Sequence, residues 1–92
     1  MIYDYTIAPE ADIDVFVSQC NMLEQNGYSR TEQLIDVDGS IVSYYRKSNT
    51  LSKIWLDYDV GAVYLQSDAP IERLLVNAPI VVKMLEQFRG ES

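Results

Sequence analysis

Four short segments between Glu32 and Ser67 alternate apolar and polar residues with a period of two, and turn-forming residues separate them. They are "EQLIDV" (32–37), "IVSYYRK" (41–47), "SKIWLDY" (52–58) and "GAVYLQS" (61–67), each of strand length. In a strand, successive side chains point to opposite faces, so these segments fit a sheet with one covered face and one partly wet face. Asp38-Gly39 joins the first two segments as a hairpin signal for a tight type I′ turn, in which both central residues need positive φ. "DVG" (59–61) joins the last two, and "SNTLS" (48–52) links the middle pair. The expectation is a four-stranded antiparallel meander.

The stretch before it reads as a helix. Ile13, Phe16, Val17, Cys20 and Leu23 form one apolar stripe at helical spacing. Pro9 suits a first turn, Glu10 and Asp12 sit near the positive end of the dipole, and Asn26-Gly27 ends the run as a C-cap. This places the helix at 9–25. The opening "MIYDYTI" also alternates, with Tyr3, Tyr5 and Ile7 on one side, as an extra edge strand beside the meander or as an ordered arm.

Past the meander the chain repeats a phrase, Asp68-Ala69-Pro70-Ile71 and then Asn77-Ala78-Pro79-Ile80. Asp and Asn are good N-cap residues, and proline is tolerated in a first turn, where no intrahelical donor is needed. Two helices follow from that reading, at 69–76 and 78–89, broken at Pro79. Leu74, Leu75, Ala78, Val81, Met84, Leu85 and Phe88 would supply their apolar face. The whole expectation is a single α+β domain over 1–92: a four-stranded meander, an N-terminal helix and a proline-broken C-terminal helix pair, packed mainly on one face.

Composition narrows the chemistry. The 92 residues contain no histidine and one cysteine, Cys20, so neither a Ser-His-Asp nor a Cys-His arrangement can form, nor an internal disulfide. The carboxylate pairs Asp12/Asp14, Asp36/Asp38 and Asp57/Asp59 are spaced two apart. "DVDG" (36–39) resembles a calcium loop, but its glycine comes too early and position 47, where the loop needs glutamate, is Lys47. No metal and no cofactor is expected. The glycines are isolated, so no phosphate loop is present. No apolar run reaches membrane length, and the opening residues lack a basic signal region. The reading is a cytoplasmic protein that contacts neither membrane nor nucleic acid directly.

Fourteen Asp and Glu against seven Lys and Arg give a net charge of −7. Eight of the acids (Asp4, Glu10, Asp12, Asp14, Glu24, Glu32, Asp36 and Asp38) fall within residues 1–38 beside one base, Arg30. One acidic patch built from these eight would mark a surface for a basic partner.

Placing Ile54, Leu56, Tyr58, Val63 and Leu65 under the helices turns Trp55, Asp57, Ala62, Tyr64 and Gln66 to the outer face. From the second strand either Val42, Tyr44 and Arg46 or Ile41, Ser43 and Tyr45 join them. Tyr44, Tyr45, Arg46 and Lys47 form a basic–aromatic cluster, with Lys53 and Trp55 across the sheet. The candidate partner-binding set is Trp55, Tyr64, Tyr44, Arg46, Asp36, Asp38 and Asp57, since aromatics and an arginine inside a polar rim are the usual material of binding hot spots.

Three functions compete. The first is a non-catalytic protein-binding module, an inhibitor or immunity-like antagonist that blocks a basic partner, such as a nucleic-acid-handling enzyme. A DNA mimic of mobile-element or phage origin would be its extreme form, for which −7 is modest. The second is a structural adaptor or chaperone acting as a homodimer. The third, least favoured, is an enzyme using only carboxylates and tyrosines.

Overall fold

The computed structural model describes residues 1–90 and contains one six-stranded antiparallel sheet. In chain order the elements are β1 (Ile2–Ala8), α1 (Ile13–Gln25), β2 (Ser29–Ile35), β3 (Ile41–Lys47), β4 (Thr50–Asp57), β5 (Ala62–Ser67), a 3-10 turn over Glu72–Leu74, and β6 (Val81–Leu85). Side by side the strands run β2-β3-β4-β5-β1-β6. The expected four-stranded sheet is corrected to six: β2 to β5 run as a meander in the expected order, with β2 lying earlier than the expected 32–37, and β1 and β6 extend it beyond β5. The N-terminal segment is a strand, but an interior one, paired with β5 on one side and β6 on the other.

Helix α1 starts later than the sequence suggested. Asp12 is its N-cap, and its Oδ1 accepts from the amides of Asp14 (3.0 Å) and Val15 (3.2 Å), so Pro9 and Glu10 lie in the connection instead of the first turn. The end is as read: Asn26 caps the helix and Gly27 takes φ +88°, a conformation that glycine adopts without penalty. Phe16, Cys20 and Leu23 are buried; Ile13 and Val17, expected on the stripe, stand largely exposed.

The C-terminal helix pair does not form. Residues 68–80 cross the sheet as an irregular segment with one 3-10 turn, and 81–85 are a strand. The two Ala-Pro phrases explain why. A residue preceding proline is driven out of the α region, and both polar residues use their side chains on long-range partners. Asp68 Oδ1 accepts from Leu51 N (3.0 Å), and Asn77 Nδ2 donates to Ile7 O (3.0 Å). Ile80 N then bonds Thr6 O (2.8 Å) and launches β6 along the edge of β1 that would otherwise be unpaired. Pairing an open strand edge outweighs the modest helical preference of a segment containing Val76, Val81 and Val82.

One face of the sheet carries the core. Tyr5, Ile7, Tyr45, Ile54, Leu56, Val63 and Leu65 are buried there with Phe16, Cys20 and Leu23 of α1 and with Ile71 from the crossing segment. The inner-face assignment of Ile54, Leu56, Val63 and Leu65 is correct. Tyr58 is not part of it, because β4 ends at Asp57 and Tyr58 stands exposed in the turn.

Gln19 fastens the crossing segment to the helix. It is fully buried, donates to Leu74 O (2.8 Å) and accepts from Val76 N (3.0 Å). Leaving a partly buried carbonyl and amide unpaired costs about 2 kcal/mol. Gln19→Ala is therefore expected to lower unfolding stability in urea by about that amount and to expose residues 69–80 to proteolysis. Unchanged stability would contradict this role for Gln19.

Candidate functional site

The face opposite α1 is organised as rungs that cross the sheet in register. One rung reads Leu34, Val42, Trp55, Tyr64, Thr6, Val81, and a second reads Glu32, Tyr44, Lys53, Gln66, Asp4, Lys83. Of the two alternatives for β3, the structure has Val42, Tyr44 and Arg46 on this face, while Tyr45 is buried beneath the helix. Trp55 and Tyr64 are stacked, with ring centroids 5.3 Å apart and planes inclined by 19°. The Tyr64 hydroxyl donates to Asp57 Oδ2 (2.9 Å); burial first, and then this bond, raise its pKa.

Lys53 Nζ lies 4.9 Å from the Tyr44 ring, 5.7 Å from Trp55 and 4.8 Å from Phe88. This is an aromatic cage around an ammonium group, supported by cation–π attraction. Phe88 is buried in it, although the sequence put that residue on a helix packed against the core.

After β6 the chain turns back across the open face. The Arg89 guanidinium sits 4.8 Å from the Tyr64 ring, Arg89 Nη2 donates to Asp4 Oδ2 (2.9 Å), and Arg89 N donates to Gln66 Oε1 (2.8 Å). Asp4 is 2% exposed and Arg89 42%. Asp4 Oδ1 and Gln66 Nε2 are buried with no hydrogen-bond partner among the described residues.

Beyond Trp55 the face is open. A recess of about 300 Å3 is lined by Leu34, Ile35, Asp36, Ser40, Ile41, Val42 and Trp55. It borders the end of the sheet where β2 turns into β3, β4 into β5, and β1 leads to α1. The expected type I′ turn is not present. The β2–β3 connection is closed by Asp36 N to Ser40 O (2.8 Å) and Gly39 N to Asp36 O (3.0 Å), and of Asp38 and Gly39 only the glycine has positive φ, +91°. Asp36 Oδ1 accepts from Val37 N (2.7 Å), which takes these two residues out of the strand where the sequence had put them.

The carboxylates here hold turns. Asp38 accepts from Ser40 N (2.8 Å) and Ser40 Oγ (3.0 Å), and Asp57 Oδ1 accepts from Asp59 N and Val60 N (both 3.0 Å). Ser40 Oγ also accepts from Tyr58 N (2.9 Å), tying the two turns together.

This end carries only negative charge. Glu10, Asp12, Asp14, Asp36, Asp38, Asp57 and Asp59 lie in these turns and the first turn of α1, with no Lys or Arg among them. The bases lie further down the strands or at the other end. Lys53, Lys83 and Arg89 share the Asp4 rung; Arg30, Arg46 and Lys47 come after it; and Arg73 lines a recess with Asn26 and Lys47 beyond the end of α1. The eight acids of residues 1–38 therefore do not form one patch. Asp4 is buried under the tail, Glu24 accepts from the Tyr45 hydroxyl (2.7 Å) at the far end of α1, and Glu32 lies on β2.

Of the candidate residues, Trp55, Tyr64, Tyr44 and Arg46 share the open face, and Asp36, Asp38 and Asp57 belong to the acidic end. Trp55 and Asp36 line the recess, Tyr64 is covered by Arg89, and Arg46 stands toward the basic end. The sequence reading turned Gln66 to this face without including it in the candidate set, and it missed Asp4, Phe88, Arg89 and Ser40. Asp4 could have been placed by extending the period-two pattern into β1; nothing in the order of residues marks Phe88 and Arg89 as a strap.

Cys20 lies on the buried face of α1, and burial raises its thiol pKa, leaving it a poor nucleophile. Among the described residues no group of three or more Cys, Asp or Glu side chains could hold a metal ion, and no helix is long and apolar enough to cross a membrane. The chain matches no protein-family model, no curated protein and no solved structure.

The bonds from Ser40 hold the Asp38 carboxyl below its ordinary pKa of 3.8, the backbone amide contributing most and the hydroxyl next. A lowered folded-state pKa gives stability that is present above the ordinary value and lost as pH falls through the lowered one. Ser40→Ala is expected to move the Asp38 pKa part of the way back, read by carboxyl NMR titration, and to weaken the acid dependence of stability between pH 4 and the lowered value. An unmoved Asp38 titration would contradict the bond.

Proposed function

We propose that this chain is a non-catalytic protein-binding module whose acidic end and neighbouring Trp55 recess receive a basic protein, in the manner of an inhibitor or antagonist. The observation that carries this reading is the segregation of charge. Seven carboxylates and no base occupy one end, whereas the other six described acids (Asp4, Glu24, Glu32, Asp68, Glu72 and Glu86) nearly balance the seven bases. The net charge of −7 is thus concentrated at one end of a molecule whose longest dimension is 32 Å. A one-signed end steers an oppositely charged partner and orients it before contact. Exposed Ile35, Val37, Tyr58 and Val60 at the same end, with the recess beside Trp55, offer apolar surface for the contact that follows. Nucleic-acid-handling enzymes, whose clefts are positive, are a partner class of the right sign.

A second reading, a homodimeric adaptor, is favoured by one observation. β6 is an edge strand with exposed Val82 and Met84, the pattern that invites strand pairing. Lys83 at its centre works against that pairing.

Kinetics separate the two. With a basic partner captured at low salt, the triple variant Glu10→Gln/Asp36→Asn/Asp59→Asn is expected to slow association about tenfold at low ionic strength and to flatten its salt dependence, with dissociation little changed. Association that is equally fast in parent and variant would overturn the proposal, and dimerisation lost on Val82→Lys would support the second reading.

A further inference from the structure

The strip of open face from Lys53 to Asp4 is built to hold an arginine, and the chain's own tail is in it. Its acceptor, Asp4, is buried within the sheet on an interior strand, whereas the donor arrives from a segment beyond the last strand and remains partly exposed. The fit is incomplete. Among the described residues Arg89 Nη2 alone bonds Asp4, Asp4 Oδ1 has no hydrogen-bond partner, and Gln66 accepts the Arg89 amide while its own Nε2 has none. A guanidinium can donate two parallel bonds to a carboxylate, and a neighbouring backbone carbonyl could accept from Gln66, so the strip has bonding capacity that the tail does not use. It is also continuous with the proposed docking end, because Tyr64, on which Arg89 sits, stacks on Trp55, which walls the recess.

We propose that this strip is a recognition site for an aromatic–arginine segment of the basic partner, and that Phe88–Arg89 is its internal occupant, displaced when the partner binds. The proposal rests on the basic-partner reading. It adds the ligand chemistry: an aromatic ring against the Lys53 cage, then an arginine between the Tyr64 ring and Asp4. The tail acts as an intramolecular competitor, lowering apparent affinity by the fraction of molecules in which it is seated.

The test clears the site in the full chain with Phe88→Ala/Arg89→Ala and offers the lost residues in trans, as the acetylated and amidated pentapeptide of residues 86–90. The Trp55 indole N–H resonance is the readout. The cleared protein is expected to bind the peptide saturably, and the parent about tenfold more weakly because its site is already filled. Adding Asp4→Asn to the cleared protein is expected to weaken binding about tenfold, as loss of a charge-assisted bond does.

Absence of saturable binding, equal affinity of parent and cleared protein, or indifference to Asp4→Asn would each overturn the proposal. So would loss of the folded state on clearing, since a displaceable tail must leave a folded domain behind it. None of these measurements involves the carboxylates of the acidic end, so they fail or succeed independently of the kinetic test of partner steering.

Discussion

A six-stranded sheet has two faces, and the described residues include one α-helix to cover them. Helix α1 and the crossing segment that Gln19 secures complete the core on one side. The other side must be shielded by what the strands and tail themselves provide. The result is a layer one side chain deep, in which cations and rings alternate: Tyr44, Lys53 and Phe88 in one group, Trp55, Tyr64 and Arg89 in another. Such a layer excludes water from the backbone without forming a second core, and it leaves amphipathic side chains at the surface, where they are available to a partner.

The meander was legible because period-two alternation and turn residues act locally. The same rule put Ile54 and Leu56 on one face and Trp55 on the other, and packing the helices over the first made it the inner one. The C-terminal third was not legible, for a reason that is not local. Asp68 and Asn77 have the chemistry of helix caps, yet each bonds a distant strand, and the segment between Asn77 and Leu85 is drawn into the sheet by the open edge of β1. A sequence window around Pro79 contains no sign of that edge. The strap was hidden for the same reason: the value of Arg89 depends on Asp4, at the other end of the chain, and on the strand order that brings β1 beside β5.

Charge shows a similar split between what the order of residues contains and what topology adds. The excess of acid in residues 1–38 is a fact of the sequence, but it does not correspond to a surface. The fold takes Asp4, Glu24 and Glu32 out of that group and brings in Asp57 and Asp59 from the β4–β5 turn. Ser40 makes the join, bonded to Asp38 on one side and to Tyr58 on the other. Turn chemistry and charge segregation therefore come from the same carboxylates, which fix the connections and are concentrated where connections lie. The bases fall on strands and at the opposite end, so the molecule is polarised along its strand direction.

That polarity can be measured without knowing the partner. Titration of the chain, labelled with 15N, by hexa-arginine at low ionic strength should shift amides in residues 10–14, 36–40 and 57–61 together with the Trp55 indole, and leave 26–30, 46–50 and 70–74 in place. Shifts spread evenly over the surface, or centred on residues 46–50, would contradict an acidic end that receives a basic partner.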